Sequence, residues 1–152
     1  MTPEEKLKEL GYELRTIEVG NAPLIPWVRT GNLLYLSGRT GGVGGQQWSG
    51  QVGKDYTTAE AKEAARDVAF GQLCVAKTAL GDLGKIRRVV KVLGMVNCVP
   101  GNGEQPQVIN GFSELLVEVF GERGRHARSA VGMAGLPGNA PVEVEVIFEV
   151  ED

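Results

Sequence analysis

Residues 127–150 read ARSAVGMAGLPGNAPVEVEVIFEV, and the last nine of them decide the fold. From Val142 to Val150 the chain alternates almost without fault. Val142, Val144, Val146, Phe148 and Val150 fall on one face, and Glu143, Glu145, Ile147 and Glu149 on the other. A period of two marks a β-strand with one face in a core. The opposite face carries three carboxylates, so it meets solvent, a pocket or a partner chain. Just upstream, residues 127–134 predict another strand and residues 135–141 a tight connection.

Further toward the N-terminus the period changes. Residues 106–120 predict a long helix with Ile109, Phe112, Leu115, Leu116, Val119 and Phe120 as its buried stripe, stopped by Gly121 and Gly124. Residues 87–99 (RRVVKVLGMVNCV) predict a strand, followed by a turn at 100–103. The longest helix opens at Thr57 or Thr58, where Glu60 stands at capping-box spacing from Thr57. Its apolar face is rich in alanine (Ala61, Ala64, Ala65, Val68, Ala69), which suits close packing on a flat surface such as a sheet. Gly81 and Gly84 close it.

Residues 38–53, GRTGGVGGQQWSGQVG, hold 7 glycines in 16 positions and predict a loop or a poorly packed hairpin. Before them, Leu33-Leu34-Tyr35-Leu36 predicts a buried strand, set off from an earlier apolar run by the turn signal Thr30-Gly31-Asn32. Residues 12–19 are β-prone. Residues 1–11 predict a short helix capped by Thr2, with Pro3 in its first turn, Glu5 completing a capping box and Gly11 ending it. The order β–β–α–β–α–β–β after that helix gives the α+β class: a mixed sheet with two long helices packed on one face. Residues 1–152 are expected to form one domain, with 1–11 as an N-terminal helical extension.

Composition narrows the function. The chain has 152 residues, 22 glycines and 7 prolines, is 42% hydrophobic and carries a net charge of −3. This is a globular composition with excess glycine. A mildly acidic chain argues against sequence-independent binding to long nucleic acids. Cys74 and Cys98 lie far apart in sequence, and His126 is the one histidine. A Cys/His zinc site therefore lacks ligands, and the two cysteines read as buried thiols. No metal and no cofactor is expected. The charged N-terminus carries no signal-peptide core, and no apolar run approaches a membrane span, so a cytoplasmic location is expected.

The glycine-rich stretch fails both nucleotide fingerprints. Lys54 is followed by Asp55 and the upstream glycine position holds Trp48, against a P-loop. Gln47 occupies the third glycine position of a dinucleotide fingerprint. His126, in the basic run 123–128, reads as a surface or interface histidine, and Ser129 has no nucleophile elbow around it. Arg128 opens a strand among Ala127, Ala130 and Val131. A guanidinium there suits a planar anion, which its fork matches bidentately, or else a salt bridge to Glu143 or Glu145.

The segment 127–150 resembles the C-terminal signature of the RidA family, also called YjgF or L-PSP endoribonuclease-like. That signature joins an arginine at a strand start, a small apolar run, a Leu-Pro turn and a V-E-V-E strand. Pro26-Trp27-Val28, Leu36-Ser37-Gly38 and the stretch 50–96 resemble the family's upstream segments, so the likeness covers about residues 12–150. It implies a chorismate-mutase-like fold of the bacillus type and a homotrimer with ligand pockets between subunits. It also implies hydrolysis of reactive 2-imino or 2-enamino acids to 2-keto acids and ammonia. By the resemblance, Arg128 holds the substrate carboxylate and Glu143 orients or activates the attacking water. Trp27, Ser37, Gly38 and Cys98 contribute to substrate binding. The implied partners are a small carboxylate metabolite (an imino or keto acid) and further copies of the chain, with no membrane and no nucleic acid.

The departures point to a divergent subgroup. Trp27 stands where the family often has tyrosine, and the 38–53 loop is longer and richer in glycine, predicted as a mobile rim of the pocket. Asn110 is about one residue out of register with the family's helix asparagine, and its role is not carried over. Two other functions stay open: a trimer that binds a small carboxylate without turning it over, and the endoribonuclease or translation-inhibitor activity attached to some relatives.

Overall fold

A computed structural model describes residues Met1–Asp152. Its helices and strands, in chain order, are α1 (Pro3–Glu9), β1 (Trp27–Thr30), β2 (Leu33–Leu36), α2 (Thr58–Leu80), β3 (Ile86–Asn97), α3 (Gln105–Phe120), β4 (Ala127–Met133) and β5 (Val142–Val150). The five strands form one sheet in the order β1-β2-β5-β3-β4. Only the β3–β4 pair is parallel. This is the mixed α+β arrangement expected from the pattern of periods.

The alternation in β5 is realised as read. Val142, Val144, Phe148 and Val150 are fully buried, and Val146 nearly so, while Glu145 on the other face is exposed. The buried face continues across Val89, Val92 and Val96 of β3 into one apolar core with the stripes of α2 and α3. Burying side chains of this size contributes about 1.5–3 kcal/mol each, which fixes the strand's register against a one-residue slip. The opposite face of the sheet has no helix over it. Val28, Tyr35 and Val131 stand 51%, 42% and 38% exposed there.

Local chemistry sets the helix ends. Thr57 and Glu60 make the reciprocal capping box at the start of α2, and Gly81 ends it in a left-handed conformation at φ 78°. Thr2 and Glu5 do the same for α1. Between α1 and β1 the structure corrects the reading of 12–19. That stretch pairs with no strand. It crosses the molecule as an extended strap, with Leu14 and Ile17 packed on the core and the Ile17 amide donating to Thr78 Oγ1 of α2 at 3.0 Å. Its apolar residues do not keep a strict period of two, and the hydrogen-bond partner available to it is a helix side chain, not a strand edge.

The helices cross closely at Gly111 of α3. A β-carbon there would collide with the backbone carbonyl of Lys62 on α2. Alanine normally improves a helix interior relative to glycine by up to about 1 kcal/mol. Here overpacking against rigid backbone outweighs that gain. Gly111→Ala is expected to lower stability by about 1–3 kcal/mol in urea unfolding. An unchanged or raised midpoint would show that the helices can separate at no cost.

Candidate active site

Arg128 enters from the start of β4 on the helix-covered side of the sheet. It sits in register with Val92 of β3, whose other neighbour is the buried Val146. Its Nη1 donates to Asn110 Oδ1 at 2.8 Å and to Ser113 Oγ at 3.2 Å, both on α3. It makes no salt bridge to Glu143 or Glu145. Those carboxylates project from the opposite face of β5, with β3 lying between β5 and β4, so the ion-pair reading is excluded by topology. Burial pushes the Arg128 pKa down from its ordinary value. A guanidinium nonetheless stays charged at neutral pH. The result is a half-buried cation held on one nitrogen by neutral oxygens, with no acidic partner in its own chain.

Around it lies a small cavity of about 210 Å³ lined by Ser113, Val117, Arg125, His126 and Arg128. Ser113 Oγ lies 2.9 Å from His126 Nε2, and His126 Nδ1 lies 2.6 Å from the Gly124 carbonyl oxygen. A carbonyl only accepts, so Nδ1 carries the proton and Nε2 of the neutral ring accepts from the serine hydroxyl. His126, expected as a surface or interface histidine, is a half-buried member of this chain of hydrogen bonds.

Glu143 stands elsewhere. It borders a cleft of about 450 Å³ with Gly38, Arg39, Thr40, Gly41, Gly42 and Pro137. A β-carbon on Gly38 would collide with the Glu143 carboxylate, so only glycine leaves that carboxylate in place. The Ser37–Gly38 segment is held by the buried Gln72 of α2, whose amide donates to Ser37 O and Val144 O, each at 2.9 Å. The Ser37 hydroxyl donates to Ile25 O at 2.6 Å. Trp27, half-buried, packs on the core opposite Leu36. Cys98 is buried at the edge of a third cleft, where Gln105 Nε2 lies 3.6 Å from its sulfur. Within one chain, then, Gly38 and Glu143 come together, while Arg128 and Cys98 each line a separate recess.

Ser113 and Gln72 were not singled out by sequence reasoning, and Asn110 was noted there without a role. Asn110 and Ser113 share one face of α3 at a spacing of three, polar positions flanking the buried stripe. That spacing was the available signal.

The His126 environment has a measurable consequence. Burial, the larger cause, and the nearby Arg128 charge hold its pKa below the ordinary 6.5, against a partial lift from the Gly124 carbonyl. The unfolded chain binds this proton more readily than the folded one. The resulting stability is therefore present above the ordinary value and is lost as pH falls through the folded pKa. The single imidazole signal in a proton NMR titration is expected to show a midpoint below 6.5. A midpoint at or above it would mean that the ring is open to water.

The chain is similar to known proteins over nearly its whole length. A family model described as "YjgF/chorismate_mutase-like, putative endoribonuclease" matches residues 4–150. Protein TCP17 of Trypanosoma cruzi is 40% identical over 149 residues, covering 96% of this chain and 92% of that protein. The crystal structure of Atu1372 from Agrobacterium tumefaciens, a protein of unknown function, superimposes with a TM-score of 0.90 at 47% identity, covering 99% of this chain and 94% of that one. RidA from the Antarctic bacterium Psychrobacter sp. PAMC 21119 superimposes with a TM-score of 0.58 at 25% identity, over 89% of this chain and 93% of its own. With the family model spanning nearly every residue and the five-stranded sheet matching its structures, the chain belongs to the YjgF/RidA family and has its chorismate-mutase-like fold.

Proposed function

We propose that this protein is a hydrolase of 2-imino or 2-enamino acids, working as a homotrimer with its pockets between copies. The observation that carries the reading is Arg128: a half-buried guanidinium fixed by Asn110 and Ser113 with no carboxylate of its own chain bonded to it. Its remaining N–H groups suit a substrate carboxylate, gripped in the fork geometry that lysine lacks. Glu143 lies on the other face of the sheet. Two residues so placed can serve one substrate only if a second copy brings its Glu143 cleft to the first copy's Arg128. The helix-free sheet face, with Tyr35, Leu93 and Ile147 beside Lys91 and Glu145, supplies apolar surface for such an assembly.

The chemistry needs little more. An imine carbon is already electrophilic. Arg128 fixes the carboxylate end, and Glu143 takes a proton from water as it attacks that carbon. The tetrahedral carbinolamine then expels ammonia once its nitrogen is protonated, leaving the keto acid. Positioning and one proton-transfer group carry this reaction.

In a coupled assay with an amino-acid dehydratase or oxidase, the wild type is expected to speed keto-acid release. Arg128→Ala is expected to raise KM and cut kcat/KM by roughly ten- to a hundredfold, the worth of charge-assisted hydrogen bonds. Glu143→Gln is expected to act on kcat, by about a hundredfold or more. Equal rates for wild type and Arg128→Ala would refute the activity. Saturable binding of keto acids with no turnover of imines would turn the reading into a carboxylate-binding one. Sedimentation equilibrium is expected to give three times the 16.2 kDa chain mass. A monomer would remove the shared pocket.

A further inference from the structure

The hydrogen-bond chain beside Arg128 has the arrangement of an activated nucleophile. Three groups stand in sequence: Ser113 Oγ, His126 Nε2 at 2.9 Å, and the Gly124 carbonyl oxygen 2.6 Å from His126 Nδ1. The carbonyl fixes the ring tautomer, so the nitrogen facing the serine is the basic one. A hydroxyl bonded to an oriented imidazole is the general signature of covalent catalysis, whatever the fold beneath it. Arg128 Nη1 lies 3.2 Å from the same hydroxyl oxygen, within reach of a carbonyl oxygen seated on that serine. The cavity is open, and Arg125 lines it as a second guanidinium, largely exposed and paired with the exposed Glu122 at 3.3 Å.

We propose that Ser113 is a nucleophile, with His126 as its general base, in a pocket that accepts small acyl esters bearing an anionic group. This reading goes beyond imine hydrolysis and does not depend on it. The recess of about 210 Å³ seats a small acyl group beside the serine. The two guanidiniums select an anionic tail over a neutral one.

Ser113 Oγ bonds to the carbonyl carbon, and its proton passes to His126 Nε2. The bond to the leaving oxygen breaks, and that oxygen takes the proton from Nε2 and departs as the alcohol. Water then attacks the acyl-serine, giving one proton to Nε2. The carbon–Oγ bond breaks, and Oγ recovers the proton. The sum is ester plus water to acid plus alcohol. Nδ1 keeps its proton throughout, donating it to the Gly124 carbonyl oxygen, and Arg128 stabilises the oxyanion of each tetrahedral intermediate.

The test uses the full chain with p-nitrophenyl acetate and the monoanionic p-nitrophenyl hemisuccinate. The expected result is release of p-nitrophenol above the buffer rate, with kcat/KM for the hemisuccinate at least tenfold higher. Mass spectrometry of a rapidly quenched sample is expected to find the acyl group on Ser113. Ser113→Ala should remove the adduct. His126→Gln, which leaves the serine in place, should cut turnover by about a hundredfold or more. Both variants should keep the wild-type circular dichroism spectrum. Turnover no faster than buffer, an adduct on a lysine instead, or full activity in a folded Ser113→Ala would each overturn the proposal. None of these readouts involves an imine, so a failed deaminase assay leaves them unaffected.

Discussion

The period of two along β5 divides the molecule's chemistry between the two sides of one sheet. Five side chains of that strand enter the core, and the carboxylates between them have nowhere to go but the open face. Shifting the register by one residue would bury three carboxylates, at a cost no core could absorb. Glu143 is therefore pinned to the open side by Val142 and Val144. Arg128, two strands away, is pinned to the helix side by its register with Val92. The separation of cation from carboxylate follows from core packing, and it keeps the two residues of the proposed site apart within one chain. Assembly then becomes a chemical requirement for the proposed imine hydrolysis.

Arg128 also shows how a charge can be kept available. An acidic neighbour would neutralise it and occupy its fork. Asn110 and Ser113 instead bind one nitrogen through neutral oxygens, which orients the group and leaves its charge uncompensated. The cost is desolvation of an unpaired cation, visible in the downward pull on its pKa. A cation left in that condition is poised for an anion from outside. The same hydrogen bond to Ser113 ties the guanidinium to His126, so the proposed carboxylate site and the serine–histidine pair share one wall.

Much of the fold was legible because its signals are local. The capping boxes at Thr2–Glu5 and Thr57–Glu60 form as their spacing predicts. The strand at 142–150 and the helix stripes depend only on period. The stretch 12–19 misled because β-propensity records fit to a pleated, half-buried surface, and α2 offers such a surface without being a strand. Of the proposed site, Arg128 and Glu143 were legible because each is a single charged residue whose side of the sheet follows from strand period. Ser113 meets His126 because the chain turns back through Gly121–Gly124 after α3, and no sequence period encodes that reversal. Asn110 looked out of register by one position, yet a long arginine reaches it across the gap.

The glycine-rich stretch has a physical explanation in close approach. Gly38 leaves room for the Glu143 carboxylate, and Gly42 passes against the backbone of Asp67 on α2. Trp48 donates to Asp67 Oδ2 at 2.8 Å, and Val52 is buried and bonded to both Asn97 and Val99 of the chain segment leading from β3. The loop is thus threaded between α2 and the end of the sheet, tied at both ends and in its middle. A β-carbon at Gly42 would press on the Asp67 backbone, and one at Gly38 would displace the Glu143 carboxylate. At Gly38, Gly41 and Gly42 the loop borders the cleft around Glu143 with backbone alone, so there it can lie close to the carboxylate without a side chain between them.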